Sequence, residues 1–306
     1  MKVQLKSIIC ATDLSEISNP AVYYGVHLAR EFSAKFFLCH VIHVPVTAIY
    51  GEAISDPLAQ EQRLTDYAHE RLSQLIGEQP VDWRPLVTIG HVADEITRMA
   101  REKGVDLAIC STHGRSGLKR LVLGSVTERL MHTLPCPLLV VRALEHGLHP
   151  SADQKIRLQR ILVACDFSPD SDLAFEYGLS LAQEFQSEMH LAHVIEPPVY
   201  KDMLKPAKEE RAERSHPALR EQLNQKLMDM VPEDARHWCT PITVLMAGQP
   251  HEELTKYAVV HDIDLIVLGV RGHGLIESLF VGSTTDRVIR QAPCPVLSVR
   301  PKIQRL

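Results

Sequence analysis

The chain has 306 residues, 45% of them hydrophobic, with 33 basic against 38 acidic residues and a formal charge of −5. The length suits two domains with ordinary globular cores, and the charge offers no basic field for nucleic acid or an anionic membrane, so neither is expected as a partner. The opening MKVQLKSIICATD lacks an apolar stretch leading to a small-residue cleavage site, and no run of roughly eighteen apolar residues occurs, so a soluble cytoplasmic protein is expected.

From the N-terminus, aliphatic and β-branched runs predict strands over residues 7–11, 36–42, 81–88, 107–110 and 138–141. Helical periodicity fills the gaps at 19–32, 59–76, 92–103 and 125–133. Strict alternation of strand and helix implies right-handed crossovers and a mostly parallel five-stranded sheet, an open α/β sandwich with helices on both faces.

The chain then repeats itself. SIICATDLS at 7–15 lies over RILVACDFS at 160–168, 153 positions on, and the same shift carries Gly25 onto Gly178 and His40-Val41 onto His193-Val194. Further along the shift is 158, matching Gly90 with Gly248, Asp106 with Asp264, Gly124-Ser125 with Gly282-Ser283, and PCPLLVVR at 135–142 with PCPVLSVR at 293–300. The five added residues fall in the variable region between 197 and 248. A repeat near 150 residues is too long for a solenoid and long enough for its own core, so domains are expected at 1–146 and 155–302, joined through HGLHPSADQK.

Open α/β sheets bind ligands beyond the carboxyl ends of their strands, where strand order reverses. In the first copy ATDLS closes strand one, HVIH strand two and CSTHG strand four; ACDFS, HVIE and LGVRG do so in the second. In GVRGHGLIESLFVGSTTD, residues 269–286, glycines are followed by hydroxyls at a predicted helix start, a pattern that suits an anion. As a plain connector it is a turn before a helix capped by Ser283, Thr284 or Thr285. No lysine follows Gly282, which excludes an ordinary P-loop, and no GxGxxG follows either first strand, which disfavours a dinucleotide.

The spacing Gly269-x2-Gly272-x9-Gly282-Ser283 resembles the ATP-binding signature of the universal stress protein superfamily. The resemblance extends to the aspartate after the first strand, the HV(I/V) ending of the second and the Pro-rich lead into the fifth, all present twice. It implies two tandem Rossmann-like, adenine nucleotide alpha hydrolase-like domains binding ATP, AMP or ADP in a stress response, with magnesium as a companion of ATP. Carried over by position, Asp166 meets the ribose and adenine side, Ala164 and Cys165 line the base, and Val194 is an apolar contact. Gly269, Gly272, Gly282 and Ser283 form the phosphate cradle, with Thr284 and Thr285 in the following helix turn. The first copy supplies Ala11, Thr12, Asp13, Val41, Gly114, Gly124, Ser125 and Thr127, with Ser111 where the second has Gly269. If that position needs positive φ, serine costs on the order of 1 kcal/mol; if it needs only space, serine is tolerated. Gly274 is assigned to local turn chemistry.

Other features read as structural. The seven cysteines form no CxxC pair and are expected as buried thiols. Among sixteen histidines, His40 and His193 fall at matching strand ends and are expected to bond nearby backbone, while His113 and Arg271 suggest a basic rim or a solvated loop; no metal site is assigned. Asp13 and Asp166 read as acceptors rather than catalytic bases, so no catalytic residue is assigned and ATP hydrolysis would at most be slow. The charged stretch 205–231 reads as a helix packing through Leu219, Leu223, Leu227 and Met230. The last strand of each copy suits an edge, which in this family implies pairing between domains and is compatible with a homodimer. The alternative to nucleotide binding is an interaction scaffold with one or both sites empty.

Overall fold

A computed structural model describes residues 3–43, 57–112, 123–142, 156–196, 217–272 and 281–301. The chain divides into two compact units, one built on Gln4–Ile156 and the other on Arg157–Pro301. The expected linker at 146–155 lies outside the described residues.

The first unit runs β1 (Ser7–Ala11), α1 (Asn19–Glu31), β2 (Lys35–Ile42), α2 (Pro57–Ile76), β3 (Trp83–Ile89), α3 (Val92–Lys103), β4 (Leu107–Ser111), α4 (Ser125–Thr133) and β5 (Leu138–Val141). Its strands lie in the order β3-β2-β1-β4-β5, and every described pairing is parallel. The second runs β6 (Arg160–Ala164), α5 (Pro169–Phe185), β7 (Glu188–Ile195), α6 (Pro217–Asp229), β8 (Thr240–Ala247), α7 (Pro250–Val260), β9 (Leu265–Gly269), α8 (Ser283–Gln291) and β10 (Val296–Val299). It repeats the order as β8-β7-β6-β9-β10, again parallel.

Right-handed crossovers that first travel outward from β1 and then return past it put α1 and α2 on one face and α3 and α4 on the other. The packing agrees, since α1 touches α2 and α3 touches α4. The reversal of direction falls between β1 and β4, and between β6 and β9, so the loops leaving those strands flank each switch point. The central strands are buried on both faces: Ile8, Ile9, Cys10, Ile161, Leu162 and Val163 have almost no exposure. That is why these strands read as continuous apolar runs rather than as alternating ones.

Some strand ends extend slightly beyond the expected runs where pairing carries them, while β3 begins at Trp83 rather than at 81. Lys35 joins β2 opposite Ser7, and Ile89 closes β3 opposite Ile42, although neither end residue is buried. Residues 205–216 of the expected charged helix lie outside the described residues, and the expected apolar row is only partly used: in α6 Leu227 is buried, Leu223 is half-buried and Leu219 is 42% exposed, while Met230, just past its end, is half-buried. Each i+4 step drifts by about 40° around the axis, so Leu219 has rotated off the sheet by the time Leu227 faces it. All seven cysteines are free and buried, as their apolar surroundings predicted. No helix among the described residues is long and apolar enough to cross a membrane.

Among the buried polar residues, one ring sits within a strand. His190 of β7 stands where the first copy has Phe37, with Nε2 2.7 Å from Glu188 Oε1 and Nδ1 2.8 Å from the Tyr257 hydroxyl. A carboxylate can only accept, so the proton sits on Nε2 and the phenol donates to Nδ1. Burial pushes the imidazole pKa down, against the opposing pull of Glu188, with His261 and Arg160 adding to the depression. The folded value therefore lies below the unfolded one, and on acidification the unfolded chain takes up a proton the folded chain refuses. The contribution of His190 to stability should fall as the pH drops below the unfolded imidazole's value of about 6.5, and His190→Phe should reduce that fall in urea unfolding midpoints measured on either side of it.

Candidate functional site

The first strand of each unit ends in the same turn. After Ala11 and Ala164 the chain is held to the neighbouring strand by Thr12 N–H on Cys39 O at 3.0 Å and Cys165 N–H on Ala192 O at 2.8 Å. His40 and His193 close the turn from the side, each placing Nδ1 on the carbonyl of Thr12 or Cys165, at 2.9 and 2.7 Å. The ring proton must be on Nδ1 to make that bond, which bears out a backbone role for both histidines.

Asp13 and Asp166 then bend the chain by accepting the N–H two residues on, Ser15 at 3.1 Å and Ser168 at 3.0 Å. The intervening Leu14 and Phe167 sit in the left-handed region, with φ of 63° and 62°. A bulky residue there is strained, and it appears at the same place in both copies, which marks the turn as something the rest of the fold enforces.

The fourth strand of each unit leads to the second half of the site. Gly124 and Gly282 are the N-caps of α4 and α8, both extended, with φ of −62° and ψ of 139° and 142°. Their N–H groups donate to Thr112 O at 3.0 Å and Val270 O at 2.8 Å. No side chain caps either helix, so the expected serine or threonine cap is not made. Ser125 and Ser283 instead form the exposed first helical residue, while Thr127 and Thr285 are buried. Their hydroxyls donate to the last carbonyl of the preceding strand, Thr127 Oγ1 to Ser111 O at 2.9 Å and Thr285 Oγ1 to Gly269 O at 2.8 Å. These two threonines pin the helix to the strand.

The question raised by Ser111 has a geometric answer. Neither Ser111 nor Gly269 has positive φ. Gly269 is small because a Cβ there would lie 2.8 Å from the backbone of Asp170. The first unit differs at this place: its chain passes through a 3-10 turn, Glu16–Ser18, before α1, whereas α5 is already helical from Pro169. Gly272 is tighter still, since a Cβ would lie 2.5 Å from Asp166 Oδ2. Gly114, its counterpart, lies outside the described residues, as do His113 and Gly274.

The remaining expected residues are placed as follows. Ala11, Ala164 and Val194 are half-buried at the strand ends; Thr284 is half-buried beside Ser283; Val41 is buried. Thr12 and Cys165 have buried side chains: the Thr12 hydroxyl accepts Leu14 N–H and bonds Ser18 Oγ, and burial pushes the Cys165 thiol up to about 12. Both can therefore face a ligand only through backbone. Arg271 is not an open basic rim, because its guanidinium is paired with Asp170.

Residues not foreseen from the sequence complete the edge. Phe167 packs its ring 4.8 Å from that of His193, with Lys226 Nζ 3.8 Å from its centroid. Ser168 caps α5 by accepting Ser171 N–H. A serine just ahead of a proline was a readable helix-start signal; the Phe167 stack joins three separate segments and had none.

Each unit is thus a parallel α/β domain with a turn-held aspartate and a helix start meeting at its switch point. The sequence model of the universal stress protein family matches residues 4–142 and again 157–300, and the chain belongs to that family. A universal stress protein of Methanocaldococcus jannaschii is 32% identical over 142 residues, 45% of this chain and 82% of the relative. One of Mycolicibacterium smegmatis is 25% identical over 305 residues, 96% of this chain and 97% of the relative, so that similarity spans both units. The crystal structure of a universal stress protein from Archaeoglobus fulgidus shares the fold at a TM-score of 0.68 and 21% identity, over 97% of this chain and 99% of that one.

If Thr285 is a structural pin, Thr285→Val should strand the Gly269 carbonyl and destabilise the protein by about 1–3 kcal/mol, whereas Thr284→Val should change it by less than about 0.5 kcal/mol; denaturant unfolding of both variants makes the comparison.

Proposed function

We propose that each unit binds an adenine nucleotide at this edge, with the phosphates at the start of α4 or α8 and the ribose beside Asp13 or Asp166. The observation that carries the reading is the pair of helix starts. In each, a glycine N-cap leaves the first-turn N–H groups without a side-chain cap, next to an exposed serine. Such N–H groups, at the positive end of a helix dipole, suit phosphate oxygens. A carboxylate held in a turn is the acceptor that ribose hydroxyls need.

Absence of positive φ at Ser111 and Gly269 supports binding in both units rather than in the second alone. The activity we infer is binding rather than turnover. Asp13 and Asp166 are engaged by neighbouring N–H groups, which fits an acceptor better than a base. Magnesium would arrive with a triphosphate. In this reading the protein senses nucleotide in the cytoplasm under stress and passes its occupancy to partners.

The test is to denature freshly purified full-length protein and quantify the nucleotide released, beside Gly124→Val and Gly282→Val. A Cβ at these positions would lie 3.1 Å from Thr112 O and 3.2 Å from Val270 O, so valine must disturb the helix start. One nucleotide per unit is expected, each variant losing one. If none is released and added ATP does not bind, nucleotide binding is wrong and the scaffold reading takes its place.

A further inference from the structure

The two candidate sites also differ in an ion pair that the second alone can form. In the second unit Asp170, in the first turn of α5, is 5% exposed and receives three donors from Arg271. The Arg271 N–H donates to Oδ2 at 3.2 Å, Nε to Oδ2 at 3.0 Å, and Nη2 to Oδ1 at 3.2 Å. A two-pronged guanidinium contact reinforced by the same residue's backbone N–H fixes both ends of one amino acid. Arg271 lies between Gly269 and Gly272, inside the proposed phosphate loop, and the matching first-unit residue for Asp170 is Ile17, which cannot take part in an ion pair.

What the pair fixes can be followed atom by atom. Its backbone bond holds Arg271, whose neighbour Val270 presents the carbonyl that receives Gly282 N–H at 2.8 Å. Gly282 caps α8, and Thr285 ties the same helix to Gly269. On the other side, Ser168 Oγ reaches Arg271 O at 3.5 Å, and the aspartate turn lies against Gly272. In the first unit the hydroxyl pair Thr12–Ser18, 2.8 Å apart, lies wholly within the segment between β1 and α1 and makes no such link to the loop after β4.

We infer that Asp170 and Arg271 are positioning residues for the phosphate end of the second site: their buried pair holds the loop from Gly269 to Gly272 and, through Val270, sets the start of α8. This rests on nucleotide binding by the second unit. Because the pair acts on the loop and helix start and not on the base end, it should govern affinity for the phosphates of a nucleotide and leave recognition of the nucleoside alone.

The experiment uses the full chain carrying Gly124→Val, so that only the second site is read, and titrates it with ATP and with adenosine. Asp170→Asn and Arg271→Gln should each weaken ATP by about tenfold or more while adenosine affinity holds. Arg271→Lys, which keeps the charge but loses the fork and is the gentler change to the fold, should weaken ATP by a smaller factor in the same direction. A merely structural role would weaken both ligands together, and that result, or an unmoved ATP affinity in all three variants, overturns the inference while leaving nucleotide binding standing. A Gly124→Val parent that binds neither ligand overturns the nucleotide reading of the second unit and this inference with it. Circular dichroism on each variant identifies any that has not folded, in which case Arg271→Lys decides.

Discussion

The edge of each unit depends on how a helix is fastened to the end of a parallel strand. Thr127 and Thr285 are buried, and their hydroxyls donate to the last carbonyl of β4 and β9. A strand's last carbonyl has no ladder partner beyond the sheet, and leaving it unpaired in the interior would cost about 1–3 kcal/mol. By meeting that need the threonine also fixes the height at which the next helix starts. Gly124 and Gly282 then complete the junction through their own N–H groups, on Thr112 O and Val270 O. With the helix start set against β4 or β9, and the aspartate turn set against β1 or β6, two neighbouring strands bring a carboxylate and a row of helix N–H groups to one switch point.

The second constraint is strain held in place by surroundings. Leu14 and Phe167 adopt positive φ because the residues on either side are fixed: a histidine holds the carbonyl before the aspartate, and the aspartate accepts the N–H after it. Neither interaction alone would keep a bulky side chain in the left-handed region. Together they aim a carboxylate at the strand edge.

Duplication preserved this framework and changed what supports it. Where the second unit packs a glycine against α5, the first has a serine and a 3-10 turn; where the second buries an aspartate paired with an arginine, the first has Ile17. Away from the edge, His190 and Tyr257 occupy interior positions that are Phe37 and Met99 in the first copy. A buried polar group persists only if its hydrogen bonds are met, and His190 has both ring nitrogens engaged. The copies thus share strand order and turn geometry while differing in charge and polarity inside.

The sequence by itself determined the duplication, the α/β alternation and the apolar central strands, because periodicity and repetition are local and each copy restates them. It also pointed to Asp13, Asp166 and the two Gly-Ser helix starts. What Thr127, Thr285 and Cys165 do was decided only by tertiary structure: all three are buried, and the threonine hydroxyls turn inward to a strand carbonyl sixteen residues away rather than toward the open edge. The pairing of Asp170 with Arg271 is further from local pattern still, since 101 residues separate them and neither stands in a motif that names the other. Such contacts follow from which strands become neighbours, and a parallel sheet makes neighbours of strands far apart in the chain.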